Sequence, residues 1–178
     1  LINKLADNIS EYLVVKYPAD MPSKVVTRYA VKFLISNILP ILLIIFFSAL
    51  MGNFKEVFVA ILGFAVLRMF SGGYHLKSAL MCILLSTILI SLVPITGNML
   101  TDDTSIILLN GLSLILVTVF APSNITKQTR VKKKYHFLFK LVSMIIILSN
   151  FFIMNTILAV SFLFQSVLLI RLKGGGIK

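Results

Sequence analysis

The chain's only cysteine, one of its two histidines and a diglycine fall within one short stretch, Arg68 to Cys82. The residues that matter in it are Arg68, Gly72, Gly73, His75, Lys77, Ser78 and Cys82. An imidazole that takes a thiol proton leaves a thiolate able to attack a carbonyl, so the pair is the simplest kit for nucleophilic catalysis. The alternative is structural: Cys82 fills space against lipid or core, and Gly72-Gly73 is a plain turn between helices.

Spacing constrains the catalytic reading. In one straight helix His75 and Cys82 share a face but stand about 10.5 Å apart along the axis. Proton transfer needs roughly 3 to 4 Å. The two act together only if the helix breaks between them and the His75 segment folds back, a freedom that Gly72 and Gly73 supply. Cys82 then lies near a helix N-terminus, whose positive end lowers a thiol pKa, and Arg68 and Lys77 push the same way. No carboxylate is near in sequence to orient the imidazole. Ser78, a distant acid or no third group at all remain open.

Other hydrolytic chemistries lack their residues. There is no His-Glu-x-x-His helix, no Gly-x-Ser-x-Gly elbow and no aspartate inside an apolar span. A zinc site would have to combine His75, His136 and Cys82, with no close ligand pair. No metal or cofactor is expected, and cysteine chemistry is what remains for an enzyme.

The elements that must position this stretch are membrane helices. The composition is 58% hydrophobic and 13% charged, with a mean hydropathy of +1.02. That predicts an all-α, polytopic membrane bundle forming a single domain. Seventeen Lys and Arg against six acids give a net charge of +11. In such a protein the excess first sets orientation and only then attracts anionic lipid or acidic peptide. Nucleic acid is not an expected partner, because the cations flank apolar spans. One cysteine forbids an internal disulfide. The polar opening Leu1 to Asp7 predicts no cleavable signal peptide, and without an initiator methionine the start is expected a little upstream.

Along the chain, residues 1–32 read as an amphipathic N-terminal region. Leu1, Leu5, Ile9, Tyr12 and Leu13 form one face, and Lys4, Asp7, Asn8, Glu11 and Lys16 the other. Pro18 and Pro22 end that helix, and Ser23 can cap a second short one carrying Lys24, Arg28 and Lys32. Residues 33–121 carry four membrane segments, at 33–51, 54–69, 79–95 and 104–121, with the candidate catalytic break at 68–82. In the second segment Lys55, Glu56 and Arg68 must snorkel. Residues 122–140 form a basic loop, and 141–178 a C-terminal hairpin and tail. The uncharged run 141–170 would be about 45 Å long as one helix, too long for one crossing, so it should turn near Asn150 to Asn155. About six crossings result. With the basic loop inside, the 72–82 break also faces the cytoplasm and the Asp102-Asp103 loop faces out.

These residues, in this setting, resemble the accessory gene regulator B (AgrB) family of bacterial membrane endopeptidases. The resemblance rests on Arg68, then Gly72-Gly73-x-His75, then Cys82 after six residues. Phe120-Ala121-Pro122 opening a Lys/Arg-rich loop, the length and the amphipathic start support it. It implies a His75–Cys82 dyad in the cytoplasmic membrane that processes an AgrD-like quorum-sensing propeptide. The cysteine would cut after the signal segment, leave an acyl-enzyme thioester and permit thiolactone or lactone closure. It also implies a homodimer. Lys127, Arg130, Lys132, Lys133 and Lys134 would bind the propeptide's acidic end, or serve topology and lipid alone. The competing reading is a non-enzymatic membrane peptide exporter or scaffold, whose polar residues (Asn37, Ser48, Asn110, Ser113, Gln165) would have to line a path.

Overall fold

The computed structural model describes residues 2–73, 79–100, 102–123 and 135–170. These residues form seven helices: α1 (Ile2–Lys16), α2 (Lys24–Met51), α3 (Phe54–Ser71), α4 (Ala79–Met99), α5 (Asp103–Phe120), α6 (His136–Ile153) and α7 (Thr156–Val167). Among them α2, α5 and α6 are long and apolar enough to cross a membrane, and shorter apolar helical stretches run over Ile83–Met99 and Thr156–Val167.

The expected short helix at Lys24 and the span from Phe33 are one continuous helix of 28 residues, about 42 Å long. No glycine or proline interrupts residues 24–39, so nothing stops the helix between them. The Ser23 side chain makes no capping bond; its carbonyl accepts the Thr27 N–H at 3.0 Å instead.

α1 packs on α2. Asp7 pairs with Arg28, and Glu11 with Lys24 at 3.3 Å. Partner numbers fall as α1 numbers rise, so the two helices run antiparallel there. These pairs are exposed, and each contributes about 0–1 kcal/mol. The buried residues of α1 are the small Ala6 and Ser10, while Leu5, Tyr12 and Val15 stay outside. The helix therefore docks through small side chains and acids and leaves part of its apolar stripe outward. Lys16 lies 5.1 Å from the centre of the Tyr12 ring.

α7 is the hub. It has twelve residues, a rise of about 18 Å, and packs against α3, α4 and α5, with a lighter contact to α6. Seven of its twelve residues are buried, so it is covered on more than one face. Small residues let its neighbours come close. A Cβ on Gly63 of α3 would sit 2.8 Å from Leu158 Cδ2, and one on Gly97 of α4 would sit 2.6 Å from Ile157 Cδ1. Ser161 adds a buried hydrogen bond to the Ala60 carbonyl at 3.3 Å.

The turn into α7 falls where the asparagines predict it. Met154 adopts a left-handed conformation and its N–H returns to the Asn150 carbonyl at 2.9 Å. The Asn150 amide donates to the Asn155 carbonyl at 3.0 Å and accepts the Asn155 N–H at 3.1 Å. Asn155 then caps α7 by accepting the Leu158 N–H. Asn150 also donates to buried Asn110 Oδ1 at 3.1 Å, which ties the turn to α5. At the start of α5, Asp102 accepts the backbone N–H and hydroxyl of Ser105, and these bonds hold its carboxyl below the usual range.

Contacts at the two ends of the bundle give its order. The C-terminal ends of α3, α5 and α7 meet one another, through Gly72 and Ser123 and through Gln165 and Gly72. Phe70 at the end of α3 meets Phe139 at the start of α6, with ring centres 5.8 Å apart. At the opposite end, Gly97 late in α4 meets Ile157 at the start of α7. Consecutive helices from α3 to α7 thus alternate in direction.

Replacing Gly63 with valine drives branched carbons into Leu158. We expect a loss of about 1–3 kcal/mol, read as a lower unfolding midpoint in mixed micelles. The neighbouring exposed Leu62→Val should move the midpoint much less.

Candidate active site

The candidate site begins where α3 ends. Arg68 occupies the last turn of α3, and the Gly72 N–H still reaches the Arg68 carbonyl at 2.9 Å. The backbone then leaves helical geometry, with φ 72° and ψ −146° at Gly72 and φ 156° at Gly73. The Gly72 pair of angles is one that residues with a Cβ scarcely visit. Gly73 is also crowded: a Cβ there would stand 3.2 Å from an Arg68 guanidinium nitrogen. The diglycine is therefore required both by its angles and by the close approach of Arg68.

Two other helices hold this corner. From α7, the fully buried Gln165 donates through Nε2 to the Gly72 carbonyl at 2.7 Å and to Ser71 Oγ at 3.2 Å. Its Oε1 accepts from Arg68 Nη1 at 3.2 Å. From the end of α5, Ser123 forms a short parallel bridge with Gly72. The Ser123 N–H donates to the Ser71 carbonyl at 2.9 Å, and the Gly73 N–H donates to the Ser123 carbonyl at 3.1 Å. Ser71 itself donates to the Leu67 carbonyl at 2.8 Å.

Arg68 was expected to snorkel toward an interface. It turns inward instead, half-buried, bonded to Gln165 and 5.8 Å from the Phe64 ring centre. A buried amide oxygen is the reason: a guanidinium satisfies it, and lipid does not.

Of the other residues singled out above, Cys82 is the fourth residue of α4. His75, Lys77 and Ser78 lie outside the described residues, as do Lys127, Arg130, Lys132, Lys133 and Lys134. The structure thus brings Arg68, Gly72 and Gly73 together. It adds Ser71, Ser123 and Gln165, which the sequence reading leaves unassigned or, for Gln165, treats as one scattered polar residue. The signal available for Gln165 was an amide in an otherwise uncharged, apolar run, since such a group demands a partner. Of the residues an exporter would need along a path, Ser48, Asn110, Ser113 and Gln165 are buried and Asn37 is exposed. Asn110 and Gln165 bond to neighbouring helices, and Ser113 to the Leu109 carbonyl.

The described residues form an all-helical bundle with three helices long and apolar enough to cross a membrane, which is the architecture of a helical membrane protein. The family model of accessory gene regulator B, AgrB, matches residues 2–172, and the chain belongs to that family. Membership supports a role in processing quorum-sensing propeptides, with an AgrD-type propeptide as partner and association with the membrane. No curated protein and no solved structure matches the chain.

Gly72→Ala places a Cβ at these backbone angles. We expect a destabilisation of about 1–3 kcal/mol, measured as a fall in the unfolding midpoint. Gly52→Ala, also at positive φ but with open space around it, should cost less.

Proposed function

We propose that this protein is a membrane cysteine endopeptidase that cleaves an AgrD-type propeptide on the cytoplasmic side of the bilayer. His75 takes the Cys82 thiol proton, and the thiolate adds to the scissile carbonyl. The C–N bond breaks, the imidazolium returns its proton to the leaving amine, and an acyl-enzyme thioester remains. A Cys or Ser side chain of the propeptide then attacks the thioester, closes a thiolactone or lactone and releases Cys82. The order suits the chemistry: a thioester keeps its acyl-transfer reactivity, and a tethered nucleophile outcompetes water through its effective molarity.

The observation that carries this reading is the corner itself. Gly72 and Gly73 break the helix before His75, and residues 74–78 alone separate Gly73 from the first residue of α4. Cys82 falls in the first turns of α4, where unpaired N–H groups and the helix dipole favour a thiolate. The alternating helices put the ends of α3 and α5 together, and the basic run 127–134 follows Ser123 in sequence. Alternating membrane segments with that end inside satisfy the charge bias. Lys127, Arg130, Lys132, Lys133 and Lys134 read the acidic end of the propeptide, and two copies of the chain form the working unit.

Cys82→Ala and His75→Ala should each abolish propeptide cleavage in co-expression while leaving membrane insertion intact. Full cleavage by either variant ends the dyad. Neutralising Lys132, Lys133 and Lys134 together should weaken propeptide binding, and the loss should shrink as salt is raised, because exposed charges are screened over about 8–10 Å. Equal binding by both proteins across ionic strength would leave those lysines a topological role only.

A further inference from the structure

We infer that Gln165 is a positioning residue for the cysteine site, acting through the Gly72 carbonyl that it holds from the central helix. The inference rests on the dyad reading above.

The end of a helix leaves carbonyls without intrahelical partners. Beside apolar helices an unpaired carbonyl is costly, so the corner at Gly72 settles where its carbonyl finds a donor. Its closest donor is Gln165 Nε2 at 2.7 Å, the shortest of the three bonds this amide makes, while Ser71 Oγ reaches the same carbonyl only at 3.4 Å. Gln165 is fully buried. It sits one turn after Ser161, whose bond to Ala60 anchors the same pair of helices. Two of its bonds go to Ser71 and Gly72, and the third goes to Arg68, whose carbonyl receives the Gly72 N–H. One side chain thus spans the last turn of α3 and the first glycine after it.

A packing role alone would not need this arrangement. Leucine fills nearly the same volume in an apolar helix without requiring partners. The amide instead fixes the direction in which the chain departs at Gly72, three residues before His75. The glycines allow many directions, so a restraint is needed if the imidazole is to meet the sulfur repeatedly at one geometry. Misplacement of a reacting group by 1 Å costs on the order of a hundredfold in rate. Ser123 restrains the backbone on the α5 side, but the Gly72 carbonyl is held by Gln165.

The test uses the full-length protein in proteoliposomes. Iodoacetamide is the probe, and Cys82, the only thiol in the chain, is the reporter. Its alkylation rate is followed against pH for wild type, Gln165→Leu, Ser161→Ala and His75→Ala. In wild type the imidazole should keep the profile below the ordinary thiol range, and His75→Ala should raise it. Gln165→Leu should move the profile upward toward the ordinary thiol value of about 8.5, with a rate at pH 7 lowered about tenfold. Ser161→Ala removes a buried bond of the same helix away from the corner and should stay within twofold of wild type. A Gln165→Leu profile that overlays wild type overturns the inference. So does an equal shift in Ser161→Ala, which would make the effect one of helix docking in general. A wild-type profile already at the ordinary thiol value and unmoved by His75→Ala removes the dyad and this inference with it. A Gln165→Leu protein that fails to insert, while Gln165→Met inserts and keeps the wild-type profile, also overturns it.

Discussion

A helix that stops among other helices must have its buried last carbonyls answered by protein, since an unanswered one is costly. That constraint shapes the end of α3. The Ser71 carbonyl takes the Ser123 N–H from the end of α5, and the Gly72 carbonyl takes the Gln165 amide from α7. The Gly73 N–H, freed from helical bonding, returns to the Ser123 carbonyl. Three helix ends are thereby tied at one place through backbone groups left over where α3 stops. The glycine angles at 72 and 73 follow from the same demand, since the chain must turn within two residues for all these groups to meet their partners.

The demand also explains the hub. α7 is too short to reach across a hydrocarbon layer by itself, at about 18 Å against about 30 Å. Its burial makes sense as a scaffold: it presents Ile157, Leu158, Ser161 and Gln165 to the helices around it. Gly63 and Gly97 let those helices close in, and the Ser161 bond to Ala60 and the Gln165 bonds to Ser71, Gly72 and Arg68 then set their register. At the other end of α7, Asn155 caps it and Asn150 ties the turn to Asn110 of α5. Both ends of the scaffold are therefore pinned by amides, and its middle by close packing.

These features differ in how visible they are in a sequence. Charge-free runs of the right length located the long helices, and Asn150 and Asn155 marked a turn because amides suit caps and left-handed corners. The diglycine announced the break for the same kind of local reason. The continuity of α2 across Lys24 to Phe33 was legible too, since no breaker lies there, but the change from charged to apolar residues suggested a boundary that the backbone ignores. What could not be read was pairing at a distance. Gln165 and Gly72 are 93 residues apart, and no periodicity links them. An amide in an apolar run says that a partner exists without saying which. The inward turn of Arg68 was hidden for the same reason, because snorkelling is the default only until a buried acceptor is known.

The bridge between Gly72 and Ser123 also bears on how a propeptide would be handled. Three residues lie between Ser123 and Lys127, and one lies between Gly73 and His75. Two chain segments of different chemistry, one cationic and one bearing the imidazole, therefore depart from residues hydrogen-bonded to each other at 3.1 Å. In the proposed reaction an acidic end is held by the first and a peptide bond is cut beside the second. Binding energy from the acidic end can then be spent on orientation at the reacting carbonyl, where orientation has most effect on rate.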